Sequence, residues 1–175
     1  MKLAIFMVAG LVGVIVLAVL LIALLGARLP QEHSATRSIL LHQTPETVYG
    51  VARDFEAMPK WRSEVREVKI TKDTSGPLRF REEGRHGAVN YELAEDLPAR
   101  RMVTRITDTD LGYTGKWTYA FAAEGRDTRL TITEDGEVSN VIFRFLSRYA
   151  FGHTATIDLY LTSLARHFGE NVRPQ

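Results

Sequence analysis

The stretch SNVIFRFLSRYAFGHTATIDLYLTSLARHF, residues 139–168, decides how this chain folds. Its bulky apolar residues Ile142, Phe145, Leu146, Tyr149, Ile157, Tyr160, Leu161, Leu164 and Phe168 recur at spacings of three and four, which puts them on one side of an α-helix. His153 fills the gap in that stripe. Arg144, Arg148, Asp158, Thr162 and Arg166 share the other side, so the pattern predicts one long helix, half in a core and half in water. Ser139 or Asn140 offers a side-chain oxygen to the first unpaired amides, and Gly152 weakens the middle and marks a point of bending. Val141, Phe143 and Phe151 fall off the stripe, so the first half is apolar around much of its circumference. Such a segment is either buried on several sides or touches a bilayer or a partner.

Working back from this helix, seven runs read as strands: His33–His42, Val65–Thr71, Leu78–Glu83, Ala88–Glu95, Arg101–Thr107, Thr114–Ala122 and Thr128–Val138. Turn-forming residues separate the last six: Thr74 to Pro77, Gly84 to Gly87, Asp96 to Pro98, Asp108 to Gly112 and Glu124 to Asp127. Connections this short join antiparallel neighbours. Val89, Tyr91 and Leu93 alternate with Asn90 and Glu92, and Trp117, Tyr119 and Phe121 alternate with Lys116 and Thr118, giving one apolar, aromatic face and one wet face. After the first strand, Thr44-Pro45-Glu46 starts a helix with a capping hydroxyl, a proline in the first turn and an acid at the positive end. A second short helical turn is predicted through Met58-Pro59-Lys60-Trp61.

At the other end, residues 3–25 contain no charged or strongly polar side chain. At about 1.5 Å per residue they span roughly 34 Å, slightly more than a bilayer's hydrocarbon core. A transmembrane helix is predicted, in preference to a cleaved signal peptide, because the apolar run is long and no small-x-small site occurs around Ala23 to Ala27. Ala9 and Gly13 form a small-xxx-small pair through which two anchors could associate. Lys2 on one side and Arg28 with Arg37 on the other nearly balance, and the expected placement of the domain is extracytoplasmic. The chain is thus read as an anchor over residues 1–28, a tether over 29–32 and one domain over 33–175.

The sequence holds 22 Lys and Arg against 21 Asp and Glu, and Lys2 precedes the anchor, so the remainder is formally neutral. A nucleic-acid binder needs excess positive charge to displace counterions, and none is present. The absence of cysteine removes disulfides, thiolate metal sites and thiol nucleophiles.

The order of one strand, two short helices, six antiparallel strands and a terminal helix resembles the SRPBCC superfamily, also called START-like or polyketide cyclase/dehydrase-like, over Glu32 to Phe168. The local pieces that carry the resemblance are Asp54-Phe55-Glu56 followed by Pro59 and Trp61, then Gly115-Lys116-Trp117 and Phe143-Arg144-Phe145. Trp61 runs into Arg62-Ser63-Glu64 where many relatives carry Asn-Pro. The resemblance implies an α+β helix-grip fold, a curved seven-stranded antiparallel sheet wrapped around the terminal helix and enclosing a cavity for apolar small molecules. The superfamily includes lipid carriers, plant ligand-binding proteins, cyclases and co-chaperones.

Continuing the strand alternation, Glu82 follows Phe80 and Glu134 follows Leu130 and Ile132 onto the buried phase, and His153 lies on the buried stripe. Two carboxyls and an imidazole around one cavity are candidates for general acid and base catalysis. The competing reading, preferred here, pairs the glutamates with Arg81, Arg105 or Arg129 near strand ends. Trp61, Phe80, Tyr91, Trp117 and Tyr119, together with His153, are candidates to line a ligand cavity, with core packing as the alternative for each ring. His33, His42, His86, His153 and His167 include no helical i,i+4 pair, and no phosphate loop or nucleophile elbow occurs. A protein without metal or cofactor is expected, binding or passing on a lipid or other apolar molecule. A cofactor-free cyclase, dehydratase or hydrolase is the first alternative and a protein-interaction module the second.

Overall fold

A computed structural model describes residues 2–71, 76–85, 87–152 and 154–175. His153, His86 and the turn residues Thr74 and Ser75 lie outside the described residues.

Helix α1 (Lys2–Ala27) precedes strand β1 (Glu32–Leu41), helix α2 (Pro45–Arg53) and a 3-10 turn (Phe55–Lys60). Strands β2 (Val65–Thr71), β3 (Arg79–Gly84), β4 (Gly87–Leu97), β5 (Arg101–Ile106), β6 (Tyr113–Glu124) and β7 (Asp127–Val138) come next. They form one antiparallel sheet in the order β1-β7-β6-β5-β4-β3-β2, so every neighbouring pair except β1 and β7 is a sequential hairpin. The cap predicted at Thr44 is present, and Asp54 adds one that was not predicted. Thr44 accepts from the Thr47 amide at 3.4 Å, and Asp54 accepts from the Ala57 amide at 3.3 Å to start the 3-10 turn.

The terminal helix departs from the single rod that the spacing predicts. It consists of α3 (Val141–Leu146), a π-helical turn (Ser147–Phe151) and α4 (Ala155–His167). Asn140 caps α3 by accepting from the Ile142 and Phe143 amides at 3.0 and 2.9 Å. The chain then leaves the helical region at Gly152, with φ 74° and ψ 151°, a conformation that glycine alone adopts freely. Only α4 is gripped by the sheet. Ile157, Tyr160, Leu161 and Leu164 are fully buried among Leu130, Ile132, Tyr119 and Phe55, in the phase the sequence predicts.

The first half behaves differently. Ile142 and Tyr149, assigned to the buried stripe, are 40% and 66% exposed. Arg144, assigned to the wet side, is buried. The break at Gly152 takes the register of α3 out of phase with α4, so one stripe no longer describes both. Glu92, on the predicted wet face of β4, is also buried, because Arg105 on the next strand folds over it and donates to its carboxylate.

Helix α1 is the one described helix long and apolar enough to cross a membrane. Val14, Leu17, Leu20 and Leu24 are among its side chains that stay exposed, unlike those of a helix in a soluble core. Its C-terminal end packs on α3. Gly26 sits so close to Val141 that a Cβ would lie 1.9 Å from the Val141 carbonyl oxygen. The Arg144 guanidinium donates to the carbonyls of Gly26 (3.3 Å) and Leu29 (3.1 Å), and also to those of Val138 (2.9 Å) and Ser139 (3.1 Å). A cation at a helix C-terminus satisfies orphan carbonyls and complements the helix dipole. One buried side chain therefore ties α1, the tether and the end of β7 together.

Candidate functional site

The sheet's core-facing side carries these aromatic residues because they alternate in phase with the core. Trp117 and Tyr119 on β6 lie beside Glu134 and Ile132 of β7, and Phe80 on β3 lies beside Tyr91 of β4. Tyr160 projects into this group from the middle of α4. Its ring centroid is 5.2 Å from Trp61, 5.8 Å from Trp117 and 5.7 Å from Tyr119, all edge-on. Phe80 stacks between Phe55 at 4.1 Å and Tyr91 at 5.1 Å. Phe80 and Tyr119 belong to the buried core, whereas Trp61, Tyr91 and Trp117 are partly exposed at its edge. The five predicted wall residues are thus gathered, but in two grades of burial. The hub, Tyr160, was legible only as a core position on its helix stripe.

Burial drives the phenols of Tyr91, Tyr119 and Tyr160 well above the ordinary value; Glu82 pushes in the same direction, while the Arg62 guanidinium partly opposes both. They remain neutral hydroxyls that can donate hydrogen bonds. Among the described residues the Tyr160 hydroxyl and Trp61 Nε1 are buried without a hydrogen-bond partner.

Arg62 is the main charged group beside this cluster, and sequence reasoning did not single it out as a site residue. It follows Trp61 at the point where the chain departs from the family's Asn-Pro, which was the one available signal. Its guanidinium lies 5.3 Å over the Tyr160 ring and donates to Glu82 Oε2 (2.9 Å), Glu82 Oε1 (3.3 Å) and Glu64 Oε1 (2.8 Å). Burial works against its charge, but Glu82 and then Glu64 more than offset this, so its affinity for the proton rises. Glu82 therefore pairs with Arg62, not with the three arginines named from sequence. Those pair elsewhere: Arg81 with Glu83, Arg105 with Glu92 and Arg129 with Glu124.

Glu134 occupies a separate position, with Oε1 3.6 Å from Nε2 of His33 on β1. Burial lowers the His33 pKa and Asp135 partly restores it, so the imidazole is biased towards its neutral form. The two candidate carboxylates thus belong to different partnerships. No group of three or more metal-ligating side chains occurs among the described residues.

Two clefts lie along the β1 and β7 side. One, of about 520 Å3, is bordered by Ser34, Arg105, Lys116 and Asp135. The other, of about 370 Å3, runs between the tether and the π-turn, bordered by Leu29, His33, Arg144, Arg148 and Tyr149. Trp61, Tyr91 and Trp117 border neither; Trp61 and Trp117 pack on Tyr160, and Tyr91 packs on Phe80.

A family model described as polyketide cyclase/dehydrase and lipid transport matches residues 32–168. No curated protein sequence matches the chain. Among solved structures, a START superfamily protein from Mycobacterium smegmatis superposes with TM-score 0.61 at 17% identity, covering 77% of this chain and 96% of that one. A protein from Thermobifida fusca gives 0.64 at 15% identity, with 80% and 98% covered. Truncated norcoclaurine synthase from Thalictrum flavum gives 0.63 at 9% identity, with 81% and 96% covered. At these identities the likeness shows a shared START-like, helix-grip fold and nothing finer.

Proposed function

The chain belongs to that family, and from this premise we propose that it is a membrane-anchored domain that binds or carries a lipid-like or other apolar small molecule. Residues 1–28 act as the anchor, 29–32 as the tether and 33–175 as the binding domain. The observation that carries this reading is the partly exposed edge where Trp61 and Trp117 meet Tyr160, with Tyr91 stacked on Phe80 in the same core cluster. A mostly apolar surface with two buried polar atoms in need of partners suits an apolar molecule bearing one polar group. Burial of such a molecule contributes about 25 cal/mol per Å2 before ordering costs, and leaving a buried donor unpaired costs about 1–3 kcal/mol. Entry requires the rings to part from Tyr160, and Gly152 provides a non-helical joint directly before α4.

Catalysis by Glu82 is the weaker reading, because both of its oxygens already accept from Arg62 and are turned towards that guanidinium. The closed packing around Tyr160 supports the interaction-module reading as second choice, since a filled interior leaves the outer surface as the working part.

The test is mass spectrometry of small molecules extracted from the full chain purified in detergent, beside the Trp61→Ala/Trp117→Ala variant. Molecules held by the anchor alone are retained equally by both proteins. An apolar species retained by the parent and lost from the variant supports the proposal. A species chemically altered from a supplied precursor, with the alteration abolished by Glu134→Gln while binding persists, overturns it.

A further inference from the structure

We infer that α3 and the π-turn form a second membrane contact, lying in the headgroup region beside the end of α1 and fixing the orientation in which the domain stands on the bilayer. This rests on the reading of α1 as an anchor.

Position comes first. The contact of Gly26 with Val141 and the bonds from Arg144 to the carbonyls of Gly26 and Leu29 hold α3 at the level where α1 ends. A span of 26 residues is about 39 Å long, so its last turn lies at the edge of the hydrocarbon. The last carbonyls of α1 lack helical partners, and the buried Arg144 supplies them with a charged donor that fixes α3 there.

The exposed chemistry is that of an interface. Ile142 and Phe143 are each 40% exposed on the helix whose Val141 meets Gly26, and Leu24 and Leu25 just before Gly26 are exposed too. Tyr149 presents an amphipathic ring, 66% exposed, of the kind enriched at headgroup depth. Arg28 and Arg148, both exposed, can extend their charged ends towards lipid phosphates while their stems stay in the apolar zone. Exposed apolar side chains on α3 are thus held beside the end of a helix whose own surface requires lipid, which favours the bilayer over a protein partner as occupant. The cleft bordered by Leu29, Arg148 and Tyr149 then opens at the depth of the headgroups.

The chain contains no cysteine, so single sites can be labelled in the whole chain of residues 1–175. Val14→Cys, Phe143→Cys, Tyr149→Cys and Arg126→Cys, each carrying an environment-sensitive fluorophore, are reconstituted into phosphatidylcholine vesicles containing nitroxide-labelled lipid. All four positions are exposed, so the fold tolerates the label. The inference expects position 14 to lose its emission to nitroxides deep in the acyl chains. Positions 143 and 149 should lose theirs to nitroxides near the headgroup and resist aqueous iodide, and position 126 should respond to iodide alone. Quenching of 14 by lipid with 143 and 149 open to iodide overturns the inference and leaves the anchor standing. Protection of 143 from iodide without lipid quenching overturns it in favour of a protein partner or a second copy. Iodide access at position 14 removes the anchor and the inference together.

Discussion

Arg62, just after the 3-10 turn, donates to both carboxylate oxygens of Glu82 on β3, at 2.9 and 3.3 Å. The pair joins the connection between α2 and β2 to the sheet, and its guanidinium lies over the Tyr160 ring.

Replacing Arg62 with methionine removes the cation and leaves Glu82 and Glu64 facing a largely apolar surface. Breaking a fully buried pair costs about 3–5 kcal/mol. The glutamates here are 18% and 23% exposed, so water screens part of that, and about 2–4 kcal/mol is expected. Urea unfolding of Arg62→Met measures the loss. Adding Glu82→Gln should recover part of it, and a double variant no more stable than the single one would show that the pair is not coupled.

The gripping of α4 gives a second prediction. Leu161→Asp places a carboxylate at a fully buried position and should cost several kcal/mol, comparable with the whole stability of a small domain. Thr162→Asp, one step round the helix and half-buried, should cost about 1 kcal/mol or less. Thermal melts of the two proteins test the helical phase, and equal losses would contradict it.

Two histidines should titrate in opposite directions from the usual 6.5. The hydrogen bond from Nδ1 of His42 to Glu170 raises its pKa, so this contribution to stability is complete below 6.5 and disappears as pH rises through the folded value. Burial lowers the pKa of His33, so its contribution is complete above 6.5 and is lost as pH falls through its folded value. Imidazole proton shifts followed by NMR should place the His42 midpoint above 6.5 and the His33 midpoint below it. His42→Asn should abolish the first transition and leave the second.

The Arg144 clamp predicts coupling between α1 and the rest of the chain. Arg144→Met deprives four carbonyls of a charged donor, and Gly26→Ala forces α1 off Val141 without touching any charge. In bilayers, the distance distribution between spin labels at positions 17 and 126 should broaden in both variants. Domain stability should fall by about 1–3 kcal/mol in Arg144→Met and hardly at all in Gly26→Ala.

Much of the fold was legible in the sequence because alternation and turn chemistry are local. Val65–Thr71 is a strand over the same residues that the sequence predicts, and Thr44 and Asn140 cap the helical segments that begin beside them. The clustering of the aromatic residues was legible for the same reason, since Trp117 and Tyr119 needed only a correct strand phase. The features that escaped depend on contacts distant in sequence. Arg144 looks like a surface residue until Gly26, 118 positions earlier, offers it a carbonyl. Arg62 finds Glu82 only when the 3-10 turn folds against β3, and the His33–Glu134 contact exists only because the first and last strands are neighbours. The break at Gly152 needed a decision between bend and interruption, which the spacing of the stripe could not make.

That adjacency of first and last strands sets a timetable for synthesis. β1 pairs with β7 from Glu32 with Glu137 to Leu41 with Thr128, so its partner is made last among the strands. Translation runs at about 5–20 residues per second, and the intervening segment of close to ninety residues takes roughly 5–20 s to emerge. During that interval β1 stands unpaired within a few residues of α1, next to the membrane in the anchored reading. The sheet can grow hairpin by hairpin from β2 to β7, but the grip on α4 closes only when the oldest strand docks with the newest, a long-range step that should limit the rate of folding.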